Sequence, residues 1–161
     1  MKYVCSQIVV DDVQKSTTFY CDIMGQKVAF DFGENVLFEG GFAIHDREHY
    51  SELIEKQSAG RCQSKDFELY FETDDLARVN QELKERNFEF VHEMQDQPWC
   101  QRVLRFYDPD GHIVEVGETM QAVVVRQYKK GMSIETIHAE TCMPVKFIEN
   151  AVANMELTTA A

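Results

Sequence analysis

Basic residues are scarce in this sequence. Against 28 Asp and Glu, the 161-residue chain carries only 16 Lys and Arg, for a formal net charge of -12. That surplus repels phosphate backbones and anionic lipid, which argues against nucleic-acid or membrane-surface binding. Paired cysteines are also missing. The five present (Cys5, Cys21, Cys62, Cys100 and Cys142) are odd in number and widely spaced, with no C-x-x-C pair. A structural zinc knuckle and a dithiol couple are therefore not expected, and a reduced, cytoplasmic compartment is. No stretch approaches the roughly 20 apolar residues that span a bilayer. The opening run, residues 3–10, is too short and too polar for a signal peptide. What the chain does have is core material: 44% hydrophobic residues, including 11 Phe and 6 Tyr, exclude low-complexity disorder. The length suits one ordinary domain or two small similar halves.

Periodicity favours the two halves. Residues 3–10 read as a strand, and Asp11 and Asp12 then precede a helical stripe of Val13, Thr17, Tyr20 and Ile23 or Met24, stopped by Gly25. Strands at 27–32, 36–39 and 42–46 follow, parted by turns at 33–35 and 40–41. The same order recurs after a polar stretch at 49–65, expected to be loop or a short surface helix. Residues 67–73 form a strand, and Asp74 and Asp75 cap a helix with Leu76, Val79 and Leu83 on one stripe. Strands at 88–93, 102–107 and 112–117 complete the copy. The pattern predicts an α+β fold of two βαβββ modules (residues 1–58 and 66–118) in a domain of residues 1–120, followed by a helical extension at 121–161.

Strand alternation assigns faces. Val4, Ile8 and Val10, Phe42 and Ile44, Phe67, Leu69 and Phe71, and Val114 and Val116 are expected to face the helices. The other face then carries Cys5, Gln7, His45, Glu68, Tyr70, Glu72 and Glu115. The spacing repeats: Cys5 and Glu68 each lie seven residues before the capping Asp12 and Asp75, and His45 and Glu115 each lie four after Gly41 and Gly111. A Cys, a His and two Glu on one concave surface form a ligand set for a divalent ion, whether manganese, iron, nickel or zinc. In that case Glu68 or Glu115 would take a proton beside a metal-polarised carbonyl. The alternatives are a buried, unreactive Cys5, a His45 hydrogen-bonded in a core, and glutamates that bind a cationic ligand or stay solvated.

The segments Asp12-Val13-Gln14-Lys15-Ser16, Phe19-Tyr20, Met24-Gly25, Pro98-Trp99-Cys100-Gln101-Arg102 and Asp108-Pro109-Asp110-Gly111-His112-Ile113-Val114-Glu115 resemble the glyoxalase, bleomycin-resistance and extradiol-dioxygenase superfamily, also called the vicinal oxygen chelate family. The resemblance covers residues 1 to about 118 and implies two modules in an open, incomplete barrel around a divalent metal. The implied ligands are Cys5, His45, Glu68 and Glu115, with Glu68 and Glu115 as catalytic candidates. The glyoxalase pattern has His or Gln, Glu and His at positions 5, 45 and 68, so only Glu115 is the usual residue type. The implied function is a metal-dependent lyase, isomerase or dioxygenase-like enzyme for a small oxygenated substrate, working as a homodimer. The alternative is a non-catalytic protein that binds a drug such as bleomycin. Gln7, Tyr70, Trp99 and Arg102 are the expected pocket residues, with Tyr107 and Phe38 as further groove candidates and Arg105 competing with Arg102 for the inward position.

The extension is expected to hold helices at 121–130, after Ser133 and after Pro144, with residues 157–161 frayed. It has the outline of a helix-turn-helix, yet four basic residues (Arg126, Lys129, Lys130, Lys146) offset four acidic ones (Glu135, Glu140, Glu149, Glu156). A packing or dimerisation appendage fits that balance better than a DNA reader.

Overall fold

The computed structural model describes residues 4–54 and 67–159. Among them are eight strands and six helices in two compact units, residues 1–67 with 108–112, and residues 68–107 with 113–161. Cys62 and most of the connection between the modules lie outside the described residues.

The first unit holds β1 (Ser6–Val10), α1 (Val13–Asp22), β2 (Val28–Asp31), β3 (Asn35–Phe38), β4 (Phe42–Asp46) and α2 (Arg47–Leu53). Its sheet runs β1-β4-β3-β2, with β1 parallel to β4 and the other pairs antiparallel. Asp12 starts α1 by accepting the Lys15 N–H at 2.9 Å, the cap expected from sequence. The buried stripe of α1 is Ser16, Phe19 and Tyr20. This corrects the expected stripe, which a Val13 start had rotated by one position: Thr17 is only half-buried. Tyr20 packs against Phe19, Phe38 and Phe42 with ring centroids at 4.8, 5.6 and 5.0 Å. Phe38 is therefore core and not groove, since it alternates to the helix side of β3 beside Val36. Val4 precedes the first paired residue and is 72% exposed, so alternation does not reach it.

The turn at 108–112 groups with this unit. Asp108 Oδ1 accepts the N–H groups of Asp110 and His112, and its Oδ2 accepts the Tyr20 hydroxyl at 2.8 Å and faces His112 Nδ1 at 2.9 Å. Asp110 receives the Asp11 N–H and the Ser16 hydroxyl, both at 2.7 Å. Gly111 has φ 89° and its N–H reaches the Asp108 carbonyl, a conformation that favours glycine. The Asp-Pro-Asp-Gly motif is thus a fastening device for α1.

The second unit holds β5 (Glu68–Thr73), α3 (Leu76–Glu85), β6 (Phe90–Asp96), β7 (Arg102–Tyr107) and β8 (Ile113–Glu118), in the order β5-β8-β7-β6. The repeat read from sequence is repeated in the topology. Asp75 caps α3, which buries Leu76 and Leu83. Phe67 stands just outside β5 and is 43% exposed, for the same reason as Val4. The extension follows as α4 (Met120–Lys129), α5 (Ile134–Thr141, capped by Ser133) and α6 (Val145–Thr159). Val124, Ile137, Ile148, Ala151 and Val152 make its small core. α6 continues to Thr159, and residues 160–161 of the segment expected to fray lie outside the described residues. Among the described residues the sheets are separate, with β1 and β2 at the edges of one and β5 and β6 at the edges of the other, and each unit is the α+β arrangement the repeat predicts.

Candidate functional site

The face of the second sheet opposite α3 is built by register. Tyr70 pairs with Glu115, Glu115 with Arg105, and Arg105 with His92, so four side chains form one row across β5, β8, β7 and β6. Arg105 is the hub. Its Nε donates to Glu68 Oε2 at 2.9 Å, Nη1 meets His92 Nε2 at 3.0 Å, and Nη2 pairs with Glu115 Oε2. Glu115 is only 5% exposed. Arg102 alternates to the opposite face of β7, where its Nε reaches Asp96 at 3.4 Å, so Arg105 is the arginine that joins the two glutamates. The register could have shown this: the five-residue turn at 108–112 sets Tyr107 opposite Ile113 and so Arg105 opposite Glu115.

Beside that row lies a second chain of contacts. Trp99 Nε1 donates to Gln101 Oε1 at 2.9 Å, and Gln101 Nε2 donates to the Tyr70 hydroxyl at 2.8 Å and the Glu118 carbonyl at 2.7 Å. Tyr70 in turn donates to Glu72 Oε1 at 2.8 Å. An indole only donates and a carbonyl only accepts, so the Gln101 amide has one consistent orientation. Burial raises the Tyr70 phenol pKa, and its Glu72 contact adds to the rise against an opposing Gln101 bond. Tyr70 and Trp99 remain 48% and 41% exposed. Gly117 makes room for the network: a β-carbon there would lie 2.7 Å from Gln101 Nε2 and 3.1 Å from the Tyr70 hydroxyl. Sequence reasoning quoted Gln101 only within a motif and missed its role.

In the first unit, His45 is 7% exposed at the end of β4. Its Nδ1 stands 3.4 Å from Gln7 Oε1 and its Nε2 3.0 Å from His49 Nδ1, with the Tyr50 ring at 5.7 Å. Since the amide oxygen only accepts, His45 donates from Nδ1 and accepts at Nε2. Burial first, then the neighbouring His49, lowers its pKa and favours this neutral form. Cys5 lies before β1 and is half-buried.

A divalent cation needs free lone pairs directed at one point. Glu68 and Glu115 direct theirs at a guanidinium, and His45 has committed Nε2 to His49. A cation held by both carboxylates would sit close to Arg105, where repulsion costs about 4 kcal/mol per unit of charge at 4 Å and an effective dielectric of 20. Within their own units, Glu68 and Glu115 are thus engaged by Arg105, and His45 by His49 and Gln7. Among the described residues no group of three or more His, Cys, Asp and Glu is placed to hold one.

Comparison with known proteins gives the family. Residues 3–121 match the family model described as a glyoxalase-like domain. The uncharacterized protein YraH of Bacillus subtilis (strain 168) is 31% identical over 125 residues, covering 72% of this chain and 97% of its own. A crystal structure of a protein of unknown function from Agrobacterium tumefaciens C58 is 41% identical with a TM-score of 0.67, over 74% of this chain and 94% of that one. Lactoylglutathione lyase from Agrobacterium tumefaciens, at 20% identity and a TM-score of 0.57 over 74% and 94% of the two chains, shares the fold. With two βαβββ units, the Asp-Pro-Asp-Gly fastening and a match over most of its length, the chain belongs to the glyoxalase-like domain family of the glyoxalase, bleomycin-resistance and dioxygenase superfamily.

Proposed function

We propose that this protein binds a small cationic aromatic molecule, without a metal, where half-exposed Tyr70 and Trp99 stand on the face of the second sheet opposite α3. The observation that carries the reading is the composition of that face: half-exposed Tyr70 and Trp99 beside Glu68, Glu72 and Glu115, with one guanidinium, Arg105, against the three carboxylates. Aromatic rings next to surplus negative charge favour flat cations through stacking and cation–π attraction. Gln101 fixes the tilt of both rings, so the surface is ordered before a ligand arrives. In this reading Gln7 and His45 belong to the first unit's own hydrogen-bond chain, residues 1–120 are the binding domain, and the protein works in the cytoplasm as a homodimer.

Trp99 is the only tryptophan, so its fluorescence reports this face alone. Proflavine, a planar aromatic cation, should quench it saturably, and 1-naphthoate, an aromatic anion, should not. Equal response to both, or none to proflavine, would defeat the reading.

A second reading is favoured by the burial of Glu115: a metal-dependent lyase, isomerase or dioxygenase-like enzyme acting on a small oxygenated substrate, with Glu68 or Glu115 as base. It requires Arg105 to swing off both carboxylates when a cation binds. Stoichiometric manganese, iron, nickel or zinc in protein purified without chelator, lost in Glu115→Gln, would favour it over the first.

A further inference from the structure

The turn that carries Trp99 and Gln101 is held from outside the domain shared with the relatives. Within the turn, Gln97 N–H reaches the Gln101 carbonyl at 2.8 Å and Cys100 N–H the Gln97 carbonyl at 2.9 Å. Cys100 has φ 66°, a left-handed backbone that is uncommon for a residue other than glycine. Two restraints come from the C-terminal helices. Arg126 on α4 donates Nη2 to the Cys100 carbonyl at 2.6 Å, and the Cys100 thiol donates to Glu140 Oε2 on α5 at 3.1 Å. The same guanidinium forks onto Glu118, Nε to Oε1 at 2.9 Å and Nη2 to Oε2 at 2.6 Å. Glu118 in turn accepts the Arg102 N–H at the start of β7, and its carbonyl accepts Gln101 Nε2. A planar five-donor fork suits this three-point hold, and a lysine could not reproduce it.

We propose that the C-terminal helices are a positioning element for the ligand face, with Arg126 as the residue that sets the Trp99, Gln101 and Tyr70 geometry through Glu118 and the Cys100 carbonyl. The family match ends at residue 121, so Arg126 and Glu140 belong to an extension that this chain adds to the domain. The inference rests on the reading of the Trp99 and Tyr70 face as the ligand site. Its consequence is that affinity depends on residues that never touch the ligand. With the fork removed, the left-handed turn relaxes and the Gln101 bridge between Trp99 and the Tyr70 hydroxyl is lost, although the sheet beneath them is unchanged.

The test uses the full chain with Arg126→Gln, Arg126→Lys and, as a control, the exposed Lys129→Gln. Two quantities are read in folded protein: acrylamide quenching of Trp99 and affinity for proflavine. Arg126→Gln should raise the quenching constant about twofold and weaken proflavine about tenfold at unchanged stoichiometry, with Arg126→Lys intermediate and the control unmoved. If Arg126→Gln does not fold, Arg126→Lys decides, since it keeps the charge and loses the fork. Wild-type quenching and affinity in the folded Arg126 variants would overturn the proposal, whatever happened to their melting temperature. If wild-type protein ignores proflavine and the quenching still rises, the positioning role stands and the ligand reading falls.

Discussion

Arg105 and Glu115 stand opposite each other across the β7–β8 ladder, and their side chains close an ion pair in which the carboxylate is almost fully buried. The net worth of such a pair is small, because desolvation cancels most of the attraction, but removing one partner strands a buried charge. Arg105→Gln should therefore lower stability by about 2–4 kcal/mol, the partial exposure of Arg105 keeping the loss below that of a fully buried pair. Urea unfolding measures it, and a neutral result would mean that Glu115 finds another partner.

The same substitution bears on the metal question. With the guanidinium gone, Glu68 and Glu115 have lone pairs to offer, so Arg105→Gln should bind manganese more tightly than wild type. Equilibrium dialysis gives the comparison. Tighter binding by the wild type would show that Arg105 does not compete with a cation.

Asp108 and His112 predict a pH profile. Burial alone would raise the Asp108 pKa, but hydrogen bonds and charge from His112, with the Tyr20 hydroxyl, outweigh it and leave the carboxyl below its ordinary value. Burial alone would lower the His112 pKa, but Asp108 outweighs that and leaves it raised. A raised histidine contributes stability below its unfolded pKa and loses it as pH rises through the folded one. A lowered carboxylate contributes above its unfolded pKa and loses it as pH falls through the folded one. Stability should thus peak between the two ranges and fall on the alkaline side of the histidine range. Melting temperature against pH should show that alkaline fall in wild type and a flatter curve in His112→Asn. Asp108→Asn, which disrupts a buried four-bond network, should cost about 2–4 kcal/mol.

Gly117→Ala places a methyl group 2.7 Å from Gln101 Nε2, so Gln101 must move. A loss of about 1–2 kcal/mol is expected, together with a red-shifted Trp99 emission as its hydrogen-bond partner leaves. An unshifted spectrum would mean that the Gln101 network does not order Trp99.

Cys142 ends α5 with φ 58° and an exposed side chain. Glycine is at ease there, so Cys142→Gly should stabilise by about 0.5–1 kcal/mol, read as a higher urea midpoint.

Elements with a local cause were legible in the sequence. Asp12 and Asp75 announced α1 and α3, Ser133 announced α5, and the repeated Asp-helix-strand pattern gave the element order of both units, while the order of strands in each sheet came only from their pairing. Face assignment worked inside paired strands, as for Ile8, Val10, Leu69 and Val114, and failed at Val4 and Phe67, where pairing has not begun. The candidate site was harder. Alternation put Glu68, Tyr70 and Glu115 on one face, but which arginine joined them depended on the β7–β8 register, and Gln101 gains its role only from a close approach that Gly117 permits. Arg126 was beyond sequence reasoning altogether, since its partners Cys100 and Glu118 lie 26 and 8 residues away and belong to a turn and a strand end.

The most direct test of metal-free ligand binding is a proflavine titration of Trp99 fluorescence in the presence of excess chelator. Saturable quenching with one ligand per chain, weakened in Trp99→Phe when followed by calorimetry, is the expected result. Binding that vanishes in chelator and returns on adding a divalent ion would contradict the account.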